Sequence, residues 1–317
     1  MDKKQRLAYI GLVTVTIIIG LSFIFVKIGL RYSNAIDLLA HRFTAAAISI
    51  LVLWIFGFIK LPKVSFKKAK SLLLLSLFYP LLFFALQTFG LQHSSVSEAG
   101  IIFASMPIIT LIAASFFLKE KTSLLQKIGI ILSIAGILYI IYSTGEVSGS
   151  TTLKGVILLL LSIFSMVVYY VLGKVTTAKF SAIEITVWMT MLAFILFNSF
   201  SIATHAYNHT LSQFFNPLLN IEFLWAILYL GVLSSMFTAF LTNFALANIP
   251  ASQIAVFNNL SPLVTIAGGI LILGESLFIY HIIGGLLVLA GVAMTVTLPR
   301  FSRKPWESCR KILDSAL

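Results

Sequence analysis

The sequence predicts an all-α integral membrane protein with ten transmembrane helices, arranged as two inverted five-helix repeats. Hydrophobic residues make up 59% of the 317-residue chain and charged residues only 10%, and the mean hydropathy of +1.05 lies outside the range of soluble proteins. The chain also divides into apolar stretches of about 20 residues, each long enough to cross a ~30 Å hydrocarbon core. The third observation is an internal repeat with an offset of 155 residues.

Ten apolar stretches are predicted to span the bilayer. The first follows a basic N-terminal flank but is predicted to be a retained helix, because its apolar run is too long for a signal peptide and no small-residue cleavage site follows it. The predicted spans, numbered 1 to 10 in order, are 7–30, 35–57, 70–92, 95–118, 124–143, 153–175, 182–206, 222–245, 251–273 and 278–298.

The distribution of Lys and Arg sets the predicted orientation. With ten spans the two termini share one side of the membrane, and that side collects 18 of the 22 basic residues. The basic residues left for the opposite half are Lys27, Arg31, Arg42 and Lys154. The chain is therefore predicted to be a multi-pass protein of the cell membrane with both termini in the cytoplasm.

We attribute the net charge of +12 to contact with the lipid bilayer and not to nucleic-acid binding, because a soluble nucleic-acid binder would need a polar scaffold. A single cysteine, Cys309, excludes an internal disulfide and any multi-cysteine metal site. No metal and no cofactor are predicted.

The internal repeat relates spans 3 to 5 to spans 8 to 10. The 155-residue offset places Pro107 on Pro262, Thr110 on Thr265, Glu120 on Glu275, Gly129 on Gly284 and Gly136 on Gly291. Each half holds five spans, an odd number, so the second half must enter the membrane from the opposite side, as in many secondary transporters. The predicted domains are a first repeat over 1–148, a second repeat over 149–299 and a basic cytoplasmic tail over 300–317.

Polar side chains within the spans point to a pathway, because such groups are costly in hydrocarbon unless they face a cavity or the bundle interior. Spans 5 and 10 are almost purely apolar, and their glycines are predicted to serve close helix packing. Spans 3, 6 and 8 carry polar stripes at helical spacing, which predict a cavity lining. The alternative is that the hydroxyls bond their own helix backbone. The stripes are Ser76, Tyr79, Phe83 and Gln87; Ser162, Ser165 and Tyr169; and Gly231, Ser234, Thr238 and Thr242.

Two prolines predict helix breaks near the middle of spans 4 and 9. Pro107 and Pro262 lack an N–H, which frees a carbonyl four residues earlier, and such a group at membrane depth marks a candidate binding site. In the alternative the prolines only kink the helices, and the neighbouring asparagine side chains satisfy the backbone. The predicted substrate-binding residues are Tyr79, Gln87, Tyr169, Thr238, Asn258 and Asn259.

Most charged residues within or beside the spans are expected to have structural roles. Arg42 is expected to form an ion pair with Asp37 or His41, and Lys27 to extend towards the interface. Glu98 could carry a coupling proton, although a carboxylate at a helix start is also stabilised electrostatically. Glu120 and Glu275 are expected to stabilise loops and helix ends.

Several of these residues resemble the motifs of a known family. They are Gly20–Lys27, Arg42 with Phe43, Pro107 followed by Leu118–Glu120, Pro262 followed by Leu273–Glu275, and the glycine pairs Gly129/Gly136 and Gly284/Gly291. Over nearly its whole length the chain resembles the EamA-type permeases, ten-helix members of the drug/metabolite transporter superfamily. The resemblance implies transport of small organic solutes such as amino acids and related metabolites, often outward.

Departures within that superfamily narrow the expected substrate. The small multidrug exporters carry a buried glutamate where this chain has Ile19, which argues against proton-driven export of lipophilic cations. No Lys or Arg occurs from 180 to 299, which argues against a phosphorylated substrate. The expected substrate is a neutral or zwitterionic solute moved by alternating access. The alternatives are an intramembrane enzyme, for which no nucleophile with its base is visible at mid-depth, and a membrane scaffold without transport.

Overall fold

The computed structural model describes residues 3–59, 66–117, 123–147, 152–249 and 260–296. Within these ranges the chain is helical with connecting turns and contains no strand. The helices of the first part are α1 Lys3–Leu30, α2 Ala35–Ile55, α3 Phe66–Ser76, α4 Phe83–Gln92, α5 Val96–Ala104, α6 Met106–Phe117 and α7 Leu124–Val147. Those of the second part are α8 Leu153–Thr176, α9 Ala182–Tyr207, α10 Ile221–Leu228, α11 Thr238–Asn248, α12 Ser261–Leu273 and α13 Ile279–Val296.

The described helices have the length and composition of a membrane protein. Seven helical stretches are long and apolar enough to cross a bilayer. Three shorter apolar helices, Val96–Ile112, Ser261–Leu273 and Ile279–Met294, lie where the sequence predicts spans 4, 9 and 10. The count of ten spans and the inverted relation of the halves stay predictions.

Two predicted spans are interrupted by wide helical turns. A π-helical turn, Leu77–Leu82, separates α3 from α4, and a second, Tyr229–Phe237, separates α10 from α11. In the first, Tyr79 has extended backbone angles of φ −140° and ψ 121°, because the residue before Pro80 is sterically disfavoured from the α region. The helix is therefore kinked at Pro80.

Pro107 and Pro262 each lie in the first turn of a described helix. The chain leaves the helix at Ser105, between α5 and α6, so Pro107 lies in the first turn of the new helix, where its missing N–H costs little. Pro262 likewise lies in the first turn of α12. Residues 250–259, which precede that turn, lie outside the described ranges.

The glycines of α7 and α13 bring the two helices into backbone contact. A Cβ atom on Gly136 would lie 2.7 Å from the carbonyl oxygen of Gly284, and a Cβ on Gly291 would lie 2.4 Å from that of Gly129. The Ser133 hydroxyl donates to the Val288 carbonyl across the same contact, at 2.9 Å. The predicted packing role of these glycines is confirmed.

Contacts between helix ends define the two ends of the bundle. We use "outer end" for the end that holds the α1–α2 turn and the starts of α8 and α10. There the Tyr32 hydroxyl donates to Glu222 at 2.7 Å, and this hydrogen bond raises the pKa of Tyr32. At the same end the Thr152 amide donates to the His93 carbonyl at 3.0 Å. At the opposite end the Lys174 ammonium donates to the Ile249 carbonyl at 2.9 Å.

Candidate functional site

A polar cluster lies buried between helices of both parts of the chain. We use "central cluster" for Arg42, Tyr79, Tyr169, Thr238 and Asn243. Arg42 belongs to α2, Tyr79 to the first π turn and Tyr169 to α8, while Thr238 and Asn243 belong to α11. Arg42, Tyr169, Thr238 and Asn243 are each 0% exposed, and Tyr79 is 4% exposed. Polar groups this deep in an apolar bundle must be satisfied by one another or by a ligand.

The tyrosines and the asparagine of the cluster form a connected network. The rings of Tyr79 and Tyr169 stack with centroids 4.5 Å apart. The Tyr169 hydroxyl donates to Oδ1 of Asn243 at 2.9 Å, and Nδ2 of Asn243 donates to the Thr186 hydroxyl at 3.1 Å. The Thr238 hydroxyl lies close to that of Tyr79 and donates to the Ser234 carbonyl at 2.7 Å. This network holds two aromatic faces in fixed positions inside the bundle.

Arg42 binds neutral groups and not the expected carboxylate. Its Nε donates to the Ser235 hydroxyl at 2.6 Å, its Nη2 donates to the Ser234 hydroxyl at 3.0 Å, and its Cζ lies 3.7 Å above the centre of the Phe84 ring. These contacts tie α2 to α4 and to the second π turn.

The expected ion pair of Arg42 with Asp37 or His41 is therefore wrong. Asp37 accepts hydrogen bonds from Ser201 and Asn34 and pairs with His205 at 2.9 Å. His41 contacts the Phe214 carbonyl through Nε2 at 2.9 Å. Asp37 and Arg42 are five residues apart, about 140° around the helix at ~100° per residue, so their side chains lie on different faces.

The structure brings some of the predicted binding residues together and leaves others undescribed. Tyr79, Tyr169 and Thr238 meet in the central cluster. Gln87 is 1% exposed in α4, and its Oε1 has no hydrogen-bond partner among the described residues. Asn258 and Asn259 lie outside the described ranges, so their predicted role stays untested.

The polar stripes divide between the two interpretations given above. The hydroxyls of Ser76 and Ser162 donate to carbonyls of their own helices, Leu72 and Leu159, both at 2.7 Å, as the backbone-bonding alternative expects. Ser165 instead donates across the bundle to the Phe78 carbonyl at 2.7 Å. A hydroxyl in a span is thus a weak indicator of a cavity by itself.

Two members of the polar network were missed from the sequence. Asn243 lies one residue beyond the stripe that ends at Thr242, and Thr186 lies in a span to which no stripe was assigned. The 155-residue offset relates Asn243 to Thr88, which is also fully buried. A search for polar pairs at that offset would have found Asn243 without the structure.

Pro262 lies where helices of the two parts approach closely. A Cβ on Gly100 would lie 3.3 Å from the Pro262 carbonyl oxygen, so α5 packs against the start of α12. The Thr265 hydroxyl donates to the Gly20 carbonyl of α1 at 2.9 Å. The first turns of α12 therefore lie beside α1 and α5.

Glu98 caps the start of α5 at the outer end. Its Oε2 accepts a hydrogen bond from the Ser95 amide at 2.9 Å, and the Glu98 amide donates to the Ser95 hydroxyl at 3.1 Å. These two bonds form a capping box. Its Oε1 lies 3.4 Å from Nε2 of His281 in α13. Glu98 is 1% exposed. The helix-terminus role is present in the structure, and the coupling role stays a hypothesis.

Glu275 also binds the start of α5, and not the start of the helix that follows it. Its carboxylate accepts hydrogen bonds from the amides of Val96 and Ser97, both at 2.8 Å, and from the Ser97 hydroxyl at 2.7 Å. The side chain of Glu120 lies outside the described residues. Glu275 therefore links the α12–α13 connection to α5 at the outer end.

A cleft of about 510 Å³ opens beside this linkage. It is lined by Lys27, Leu30, Arg31, Gln92, Leu273 and Glu275. Lys27 is half-buried and lies within electrostatic range of both Glu275 and Glu98. The cleft therefore presents charged groups of both signs at the outer end.

Comparison with known proteins agrees with this architecture. The EamA-like transporter family matches residues 6–142 and 153–297. An uncharacterized transporter YcxC of Bacillus subtilis is 40% identical and covers 97% of this chain and 99% of its own. An uncharacterized transporter of Archaeoglobus fulgidus is 30% identical, with 86% and 92% covered.

A solved crystal structure shares the fold at low sequence identity. It is 14% identical, has a TM-score of 0.60 and covers 91% of this chain and 96% of its own. With a family match over most of the sequence and a relative at 40% identity, this chain belongs to the EamA-like transporter family.

Proposed function

We propose that the protein is a secondary transporter of a small neutral or zwitterionic organic solute, such as an amino acid or related metabolite. The observation that carries the proposal is the central cluster, a set of polar and aromatic side chains enclosed within an apolar bundle. Because both parts of the chain contribute to it, movement of one part against the other would change access to it. We propose Tyr79, Gln87, Tyr169, Thr238 and Asn243 as lining residues of the site, and we add Asn258 and Asn259 from the sequence alone.

Two further observations support two inverted repeats with alternating access. The family matches two separate segments, 6–142 and 153–297. The π turn Leu77–Leu82, shifted by 155 residues, falls within the π turn Tyr229–Phe237. Related irregular turns beside one buried cluster are typical of the broken helices that form transporter sites.

Flux into proteoliposomes tests the proposal. We expect vesicles that contain the purified chain to exchange a labelled L-amino acid or related metabolite faster than protein-free vesicles do, with the solute recovered chemically unchanged. Recovery of a converted product would favour the intramembrane enzyme. Absence of flux for the whole panel, from protein shown to be folded, would favour the scaffold.

The driving force is addressed by Glu98→Gln. We propose a facilitator and expect a pH gradient to leave the final distribution of solute unchanged in both wild type and variant. Glutamine is also a capping-box residue, so the variant removes the titratable group while it keeps the helix start. Accumulation of solute against its own gradient in wild type, lost in Glu98→Gln, would show that Glu98 carries a coupling proton.

The orientation is tested with Ser65→Cys in a Cys309→Ser background. Because 18 of 22 basic residues fall on one side, we propose that both termini and the segment around residue 65 face the cytoplasm of a cell membrane. A membrane-impermeant thiol reagent should modify this cysteine in inside-out vesicles and not in intact cells. Modification in intact cells alone would reverse the assignment.

A further inference from the structure

Arg42 carries a positive charge that is fully buried and has no charged partner among the described residues. Guanidinium stays protonated in proteins, and Arg42 is 0% exposed. The carboxylates that form ion pairs within the described ranges, Asp37 and Glu98, both pair with histidines. Each polar or aromatic contact of Arg42 is to a neutral group.

The guanidinium also has an unused donor. Nε and Nη2 are bonded to the two serines, whereas Nη1 has no hydrogen-bond partner in the described part of the chain. Leaving a buried charge without a counter-charge is among the costliest arrangements in a protein interior. An anionic group at Nη1 would supply both the missing charge and the missing acceptor.

Other unsatisfied polar atoms lie along the same helix face. Phe84, on which the guanidinium rests, is followed at i+3 and i+4 by Gln87 and Thr88, which places all three on one face of α4. Oε1 of Gln87 and Oγ1 of Thr88 are buried without a hydrogen-bond partner among the described residues. Nη1 of Arg42 and, further along the face of α4 that Arg42 contacts, Oε1 of Gln87 and Oγ1 of Thr88 thus offer one cationic donor, one acceptor and one hydroxyl.

Arg42 lies too deep to reach water. It is seven residues after the start of α2, about 10 Å along the axis at ~1.5 Å per residue, and none of its side chain is exposed. Tyr79, a neutral residue, lies within electrostatic range of the guanidinium. Many arginines near helix ends extend their side chains to the membrane interface, but the side chain of Arg42 does not.

We propose that Arg42 is the substrate-binding counter-charge for a single carboxylate, so that the transported solute is a small carboxylate-bearing molecule. The proposal rests on the transport function proposed above and redefines its substrate class by the carboxylate: zwitterions are kept, neutral solutes without a carboxylate are excluded, and simple monocarboxylates are added. A single positive charge matches one carboxylate and not a phosphate dianion. The amino group of a zwitterion would find an acceptor in Oε1 of Gln87, whereas a simple monocarboxylate would use Arg42 alone.

The test compares acids with their primary amides on the purified full-length chain. The probes are L-amino acids with the corresponding amino acid amides, and short monocarboxylates with their amides. Each pair has nearly the same size and differs in the carboxylate. Binding is measured by ligand-induced thermal stabilisation and transport by flux. We expect at least one acid to bind roughly 10- to 150-fold more tightly than its amide, the range for a lost charged hydrogen bond.

Variants separate substrate binding from a structural role of Arg42. Arg42→Gln should remove the preference for acid over amide, and Arg42→Lys should retain part of it. A purely structural role would weaken acid and amide binding alike. Lys154→Gln, which removes one positive charge from an exposed side chain, is the matched control and should leave the preference unchanged.

The outcomes distinguish this proposal from the proposed function. Acid and amide bound and moved equally well would overturn the role of Arg42 while transport stands, and so would a full acid preference in Arg42→Gln. If Arg42→Gln does not fold, the wild-type acid–amide comparison and Arg42→Lys decide. Failure of every acid and every amide to bind or move would overturn both proposals. Preference for amino acids over monocarboxylates would assign the site to a zwitterion.

Discussion

Gly284→Ala is expected to lower the stability of the folded protein by about 1–3 kcal/mol, the usual range for overpacking. The added Cβ would lie 2.4 Å from Cγ1 of Ile140 and 2.9 Å from the Gly136 carbonyl oxygen. Because the second contact is to backbone, α7 and α13 would have to move apart. The expected result is a lower melting temperature of the purified protein in detergent and a smaller monodisperse fraction.

The adjacent glycine provides the matched control. A Cβ on Gly285 would lie 3.8 Å from its nearest neighbour, Cδ1 of Ile101, so Gly285→Ala introduces no clash. The change should be neutral or stabilising by roughly 0.5–1 kcal/mol, because alanine favours a helix interior over glycine. Equal stability of the two variants would contradict the packing assigned to this interface.

Asn243→Ala is expected to damage both stability and solute binding. It leaves the Tyr169 hydroxyl buried without its partner and removes the bond to Thr186. A buried group left unsatisfied costs about 1–3 kcal/mol, and the ring stacked on Tyr79 loses its anchor. We expect a lower melting temperature and weaker solute affinity, measured on the same purified protein. Asn248→Ala, which removes a bond within the same helix, should change neither by a comparable amount.

A double variant separates the two effects of Asn243. In Tyr169→Phe combined with Asn243→Leu, both partners of the hydrogen bond become apolar, which is often close to neutral for stability. The double variant should therefore recover most of the stability lost in Asn243→Ala while solute affinity stays low. Recovery of both properties would show that the network serves folding alone.

Much of the helical framework could be predicted because the bilayer imposes strong constraints. A helix must satisfy its own backbone hydrogen bonds in hydrocarbon, so long apolar stretches have few alternative structures. Small residues two turns apart predict close packing by spans 5 and 10, and the structure adds that Gly136 and Gly284 meet each other. The π turn at 229–237 could not be predicted, because it contains no proline and wide turns have no simple sequence signature.

Only part of the site can be predicted from the sequence. Polar spacing within one helix is visible in the sequence, whereas contacts between distant helices are not. Tyr79, Tyr169 and Thr238 were found from polar spacing within single helices. The environment of Arg42 differs from the prediction, because proximity in the sequence favours Asp37 and His41 as its partners. Its serine partners are 192 and 193 residues away in the chain, and only the packing of α2 on the second π turn brings them together.

We propose that the central cluster is reached alternately from the two sides of the membrane. Thr238→Cys in a Cys309→Ser background places one thiol in the cluster at a fully buried position. An aqueous, membrane-impermeant thiol reagent applied to oriented vesicles measures access from each side, and Leu138→Cys, which is 58% exposed on the bundle surface, provides the lipid-facing control. We expect the reagent to modify residue 238 from both sides, and we expect saturating transported solute to slow this modification. Modification from one side only, or from neither side in transport-competent protein, would contradict it.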